Sequence, residues 1–128
     1  MNKRIILTAA FLGALAVILG AFGAHSLKAQ LDVNGLAIWQ KGVEYQFYHV
    51  LALLYLSTFA RYKNKLIKLS YIFFFLGIVL FCGSLYAITI VKILGSNSFA
   101  ILGPITPIGG LCFILGWVFL FLAALKDK

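Results

Sequence analysis

The sequence predicts an all-α fold: a four-helix transmembrane bundle with a short interfacial helix in the first outer loop. Three observations lead there. The 128 residues are 63% hydrophobic and only 11% charged, with a mean hydropathy of +1.05. Three acids and eleven bases are too few to cover the surface of a small water-soluble domain. The apolar residues also fall into long runs separated by short polar breaks. Crossing a hydrocarbon core of about 30 Å takes ~20 helical residues, and Ile5–Gly23 offers 19 uncharged residues, Leu69–Val91 offers 23 and Ile101–Leu125 offers 25. Tyr45–Ala60 is a shorter run of 16, or 19 from Gly42 if Glu44 is included. The expected spans are 5–23, 42–60, 69–91 and 104–125, in one integral membrane domain over residues 1–128.

The third observation is where the charge lies. A net charge of +8 suits nucleic acid in the abstract, but the bases sit in the breaks and at the termini. With a cytoplasmic N-terminus, the inside holds Lys3, Arg4, Arg61, Lys63, Lys65, Lys68, Lys126 and Lys128, and the outside only Lys28, Lys41 and Lys92. Eight against three follows the positive-inside rule, so both termini are expected in the cytoplasm. The basic break at 61–68 is suited to anionic headgroups. The partner expected from charge is a lipid bilayer, not nucleic acid.

Taken in order, the first run opens with Asn2-Lys3-Arg4, which resembles the n-region of a secretory signal. Its 19 residues exceed the ~7–15 of a signal h-region, which favours a retained helix. Ala9, Gly13, Ala16, Gly20 and Gly23 recur at spacings of four, three, four and three on one helical face. In lipid, small residues permit the close backbone approach that rewards helix contact, so this face is expected to be a packing seam. Ser26, Leu27 and Leu31 suggest the short interfacial helix, and Asn34-Gly35 a break after it. A second helical pattern starts near Leu36, with Trp39 placed as a headgroup-level anchor. The third span carries Phe73, Phe74, Phe75 and Phe81, with Gly77, Gly83, Ser84 and Ala87 as thin points. Gly103, Pro104, Thr106, Pro107, Gly109 and Gly110 then make the most unusual local sequence. Proline fits a first helical turn, where its missing N–H is not needed, so the fourth span is expected to start between the two prolines. The same stretch is also readable as a broken helix that exposes backbone to a substrate.

Chemistry-bearing residues are sparse. His25, Glu44, Tyr45, Gln46 and His49 gather toward the outer face if the orientation holds. Tyr45 and Gln46 share a helical face with His49 at i,i+4 and i,i+3. A polar side chain just inside the apolar layer needs a partner, and His25 or Glu44 is in position to supply one. Two histidines and a glutamate suit zinc by donor type, but no tight ligand motif or fourth ligand accompanies them. Haem ligation is disfavoured by the surface position of His25. The expected reading is a hydrogen-bonded cluster that pins the first two helices, with no metal and no cofactor.

Small four-helix proton-coupled antiporters need an acid inside the membrane, and Asp32, Glu44 and Asp127 are none of them central. Nucleophilic triads, HExxH and phosphate loops are absent, so no enzyme activity is expected. Cys82 and Cys112 lie inside the third and fourth spans at similar depth and read as packing residues.

Three segments together resemble a known family. They are Gly20-Ala21-Phe22-Gly23-Ala24-His25-Ser26-Leu27-Lys28; Trp39-Gln40 followed by Tyr45-Gln46-Phe47-Tyr48-His49; and Leu102–Gly110 with Gly116-Trp117. In that order they are similar to uncharacterised protein family 0382 (UPF0382), or domain of unknown function 423 (DUF423), whose eukaryotic relatives are called transmembrane protein 256. The resemblance spans nearly the whole chain. It implies a multi-span inner-membrane protein without an assigned activity. The function expected is structural or accessory, by homo-oligomerisation or by joining a larger membrane partner. The alternative is a small-molecule or ion transporter or channel component, using the 103–110 break and the His25/Glu44/His49 cluster.

Overall fold

The computed structural model describes residues 2–59, 65–95 and 99–126, with Phe99 and Ala100 described by backbone alone. The described chain is almost entirely helical, and no strand occurs among those residues. Helix α1 (Lys3–Phe22) runs on through a π-helical turn, Gly23–Leu27. Helix α2 covers Val33–Ser57. Helix α3 (Lys65–Gly77), a second π-helical turn (Ile78–Cys82) and α4 (Gly83–Ile93) make one continuous rod. A single turn, α5 (Phe99–Leu102), precedes α6 (Ile105–Lys126).

Local chemistry sets the helix ends. Asn2 caps α1, its side-chain oxygen accepting from the N–H groups of Arg4 at 3.1 Å and Ile5 at 3.4 Å. Asp32 caps α2, with Oδ1 accepting from Gly35 N–H at 2.7 Å. Helix α4 closes on Gly95, whose φ of 76° lies in the left-handed region that glycine enters at no steric cost. Pro104 stands just before α6 and Pro107 within its first turn, where neither missing N–H breaks a hydrogen bond.

Sequence and structure differ in the first connection. No separate interfacial helix forms; α1 instead continues to Leu27, and turns at Gln30 and Leu31 close back on the Leu27 carbonyl at 2.9 Å. No proline interrupts 22–27, Gly23 keeps helical angles (φ −64°, ψ −40°), and Leu27 is buried, which draws the segment inward. Helix α2 accordingly starts at Val33. The expected end of the second span at Ala60, and the basic residues Arg61 and Lys63, lie outside the described residues.

Neighbouring rods run antiparallel. Asn2 N–H donates to the Ser57 carbonyl at 3.1 Å, joining the start of α1 to the end of α2. Lys92 pairs with Asp32 at 3.6 Å, joining the end of α4 to the start of α2 at the opposite pole. Ser70 Oγ donates to the Gly116 carbonyl at 2.8 Å, and Ser84 meets Thr106 at 2.6 Å, so α6 runs back along the α3–α4 rod. Ile5, Ala9, Leu53, Leu56, Ile67 and Phe74 belong to the shared core.

Three of the described helices are long and apolar enough to cross a membrane: Lys3–Leu27, Lys65–Ile93 and Ile105–Lys126. Helix α2 has the length, at 25 residues, but Asn34, Gln40, Lys41 and Glu44 dilute its first half, and Gln46 and His49 follow just past its middle. The outer surface is greasy: Leu7, Phe11, Val17 and Ile18 on α1 and Ile108, Leu111, Ile114 and Phe121 on α6 are all exposed. A continuous apolar coat of this kind marks a membrane protein rather than a water-soluble one.

Asp32 gives the fold an acid-sensitive point. The Gly35 N–H chiefly holds its carboxyl below the usual carboxylate range, against desolvation, which opposes it, and with help from the Lys92 ammonium. A depressed folded-state pKa stabilises the fold above the unfolded value of about 3.9 and is lost as pH falls through the folded value. Asp32→Ala is therefore expected to lower the melting temperature at neutral pH and to remove part of the loss seen on acidification, as followed by circular dichroism in detergent.

Candidate functional site

The polar residues of α2 divide between two faces. Gln46 and His49, three positions apart, both point into the core with 1% and 5% of their surface exposed. Glu44 points outward and pairs with Lys41 at 3.4 Å. It lies five residues from His49, which on a helix places it well around the circumference. His25 is exposed in the π-helical turn after α1. The structure thus brings Tyr45, Gln46 and His49 into one site and leaves His25 and Glu44 outside it. Neither supplies the partner expected for His49. Among the described residues no three His, Cys, Asp or Glu side chains converge as a metal-ligating group.

Gln46 links three rods. Its Nε2–H donates to the Leu12 carbonyl of α1 at 2.7 Å, and its Oε1 accepts the Tyr86 hydroxyl of α4 at 2.7 Å. The Leu12 carbonyl only accepts, which fixes the orientation of the amide. About two turns toward the start of α2, Trp39 Nε1–H donates to the Leu19 carbonyl at 2.9 Å and packs on Tyr86 with centroids 4.8 Å apart. Glycines admit these rings. A Cβ on Gly23 would stand 2.5 Å from Trp39 Cδ1, and one on Gly42 would stand 2.8 Å from Tyr86 Cε1. The small-residue face of α1 is turned to α2 in the same way: Ala9 and Ala16 are buried, Gly13 lies against Val50, and Gly20 lies against Val43.

His49 joins α2 to α6. Its Nδ1 lies 2.7 Å from the Tyr45 carbonyl, and since a carbonyl cannot donate, the proton is on Nδ1. Nε2 then accepts Trp117 Nε1–H at 3.1 Å. The imidazole also stacks on Phe113, with centroids 3.6 Å apart and planes inclined by 11°. Phe74 and Trp117 close the box edge-on, their centroids 5.0 Å apart. Both ring nitrogens are satisfied by the neutral Nδ1–H tautomer.

The Gly103–Gly110 stretch is close-packed where it meets the bundle. Gly109 is buried, and a Cβ there would stand 2.3 Å from the Phe81 backbone nitrogen. Ser84 Oγ–H donates to the Phe81 carbonyl at 2.8 Å, which leaves Thr106 as donor to Ser84 at 2.6 Å. Gly103, Pro104 and Pro107 are exposed at the rim, and Gly110 is half-buried. Cys82 and Cys112 are buried free thiols. Gly77 lies against Phe113 and Gly109 against Phe81, a register that sets Cys112 level with Ile78, a turn away from Cys82.

Sequence reading did not assign Tyr86, Ser84 or Trp117 as partners. The signal was present: a phenol, a hydroxyl and an indole inside apolar runs each need an acceptor or donor that lipid does not provide. Gln46→Leu is expected to cost about 1–3 kcal/mol, because it strands the Tyr86 hydroxyl. The Gln46→Leu/Tyr86→Phe pair is expected to cost less than the sum of the singles, a coupling measurable by a double-mutant cycle.

Comparison with known proteins adds the family. Residues 19–110 match the family described as Protein of unknown function (DUF423). The chain is 38% identical to the UPF0382 membrane protein SAB0533 of Staphylococcus aureus (strain bovine RF122 / ET3-1), covering 97% of each chain. It is 40% identical to the UPF0382 membrane protein YwdK of Bacillus subtilis (strain 168), covering 97% of this chain and 98% of that one. It is 38% identical to a UPF0382 membrane protein of Haemophilus influenzae, covering 100% and 98%. No solved structure gives a significant match. A family match over most of the chain, relatives of near-equal length and three membrane-competent helices agree: the chain belongs to the UPF0382 (DUF423) family of membrane proteins.

Proposed function

We propose that this protein is a four-span helical bundle of the bacterial plasma membrane that acts as a structural or accessory component, by assembling with itself or a larger partner. Helix α2 serves as the remaining span, its polar side chains turned inward or grouped toward one pole. Among the described residues the pole bearing Asn2 and Ser57 carries Lys3, Arg4, Lys65, Lys68 and Lys126, against Lys28, Lys41 and Lys92 toward the other. That asymmetry favours cytoplasmic termini.

One observation carries the accessory reading. Among the described residues, every buried side-chain nitrogen and oxygen is already hydrogen-bonded within the chain. Gln46, His49, Ser70, Ser84 and Tyr86 each bond to another helix, so among the described residues no buried polar side chain is left unpaired to meet a substrate. Fully satisfied networks specify and rigidify a fold. The small-residue face of α1 is used within the chain against α2, so assembly must use another surface.

Gentle affinity purification from native membranes, followed by native mass spectrometry and chemical crosslinking, tests the reading. A stable homo-oligomer or a stoichiometric membrane partner is the expected result. A monomer without a partner, with solute uptake into proteoliposomes above protein-free controls, overturns it in favour of transport.

A further inference from the structure

Among the described residues, a stripe along α2 interrupts the apolar outer surface between the charged poles of the bundle. Lys41, Glu44, Tyr48, Leu51 and Tyr55 are all exposed and follow spacings of three, four, three and four. That is the seam pattern of two helices packed at a shallow crossing angle. Contacts between α1 and α2 set the depth of each residue. Val43 lies against Gly20 and Val50 against Gly13, so Glu44 is level with the outer third of the apolar run Ile5–Gly23 and Tyr48 with its middle. Tyr48 is 55% exposed, and its ring touches Tyr45, but its hydroxyl makes no hydrogen bond to any described residue. At the same depth α1 shows lipid only hydrocarbon, Val17 being 59% and Ile18 62% exposed. Lipid chains cannot satisfy an ion pair and a phenol in this position.

We infer that this face of α2 is the seam to a second copy of the chain, the two α2 helices lying parallel about a two-fold axis normal to the membrane. The inference rests on the membrane-spanning, self-assembling reading above and supplies its surface. Charge complementarity selects a second copy as occupant. In a parallel pair equivalent residues share a height, and Lys41 and Glu44 differ by three residues, about 4.5 Å of rise. A lysine side chain covers that offset, so each Lys41 reaches the carboxylate of the other copy's Glu44, twice by symmetry. The two Tyr48 hydroxyls meet near the axis and satisfy each other as donor and acceptor. Within one copy Lys41 and Glu44 already pair at 3.4 Å, so forming the seam exchanges partners and buries both charges with their partners retained.

The test uses the full chain in liposomes, with cysteine introduced at Tyr48, at Phe11 on α1 or at Ile114 on α6, and mild oxidation read as a disulfide dimer. The native thiols are buried and serve as background. Tyr48→Cys is expected to crosslink, and Phe11→Cys and Ile114→Cys are not. Adding Glu44→Lys is expected to reduce the Tyr48→Cys dimer several-fold through like-charge contact, and adding Lys41→Glu as well is expected to restore it. Dimers formed through residue 11 or 114 but not 48 overturn the seam while leaving assembly intact. A Tyr48→Cys crosslink to a different protein overturns the second copy as occupant. Single-molecule photobleaching that shows only monomers, with no crosslink at any of the three sites, overturns the seam and the self-assembly beneath it.

Discussion

Replacing Gly109 by alanine is expected to destabilise the protein more than any other single methyl addition in the chain. The new Cβ would stand 2.3 Å from the Phe81 nitrogen, 2.7 Å from its Cα and 2.8 Å from the Leu80 carbonyl carbon. All three are backbone atoms in the π-helical turn Ile78–Cys82, so no side chain is able to swing aside. Helix α6 must move outward. Overpacking costs about 1–3 kcal/mol when side chains can adjust, and a contact against backbone belongs at the upper end, about 3 kcal/mol. Moving α6 also stretches the Ser84–Thr106 and His49–Trp117 hydrogen bonds, which adds to the loss.

Other glycines supply the scale. Gly116 and Gly77 face the rings of Phe74 and Phe113 at 2.5 Å and 2.3 Å, and alanine there is expected to cost less, since a ring shifts more readily than backbone. Gly13 and Gly20 meet single valine methyls at 3.3 Å and 3.4 Å and are expected to be mild. Gly83 has nothing within 4 Å, so alanine there is expected to be neutral or slightly stabilising, by up to about 1 kcal/mol of helix propensity. Unfolding in bicelles should return this order. A Gly83→Ala loss matching that of Gly109→Ala would contradict the contact geometry.

His49→Ala carries the second large effect. It empties a site walled by Phe74, Phe113 and Trp117, removes a ring stacked at 3.6 Å and leaves the Trp117 N–H without an acceptor. Truncating a buried aromatic costs about 3–5 kcal/mol in soluble cores, and a stranded donor adds about 1–3 kcal/mol. The neighbours can collapse partly, so about 3 kcal/mol is expected. Trp117→Phe removes only the donor to Nε2 and is expected to cost about 1 kcal/mol, near the scale of hydrogen bonds between membrane helices. The tautomer gives an independent check. Nitrogen-15 spectra of labelled histidine should show His49 protonated at Nδ1 and bare at Nε2; the reverse assignment would break both bonds drawn here.

Much of the fold was legible because lipid imposes so few solutions. Long apolar runs in this chain had to be helices, and the placement of lysine and arginine is what supports the proposed orientation of the ends. The Pro104–Pro107 pair marked the start of α6 by its hydrogen-bonding chemistry alone, whereas the Asn2 cap of α1 came only with the structure. The small residues of α1 marked a face, although only the structure gives α2 as its neighbour.

The site was legible in part. Its α2 members, Tyr45, Gln46 and His49, share one helical face, and helix periodicity shows that. Their partners come from α1, α4 and α6, and sequence spacing says nothing about which distant helix lies opposite. Depth counting placed His49 beside His25 and Glu44, yet depth fixes height and leaves azimuth open. Glu44 faces outward for that reason. The interfacial helix expected after Gly23 failed on a different point: Gly23 keeps helical angles, its missing Cβ leaves room for the Trp39 ring, and the helix runs on to Leu27.

The claim on which the rest depends is that α2 crosses the bilayer despite its polar first half. Single cysteines at Gln30 and Thr58, just beyond the two ends of α2, decide it when labelled with a membrane-impermeant maleimide in intact cells and again after permeabilisation. Residue 30 should react from outside and residue 58 only once the cytoplasm is opened. Equal reactivity of the two from the same side would mean that α2 does not span, and the inward-facing Gln46–His49 site would lose its setting.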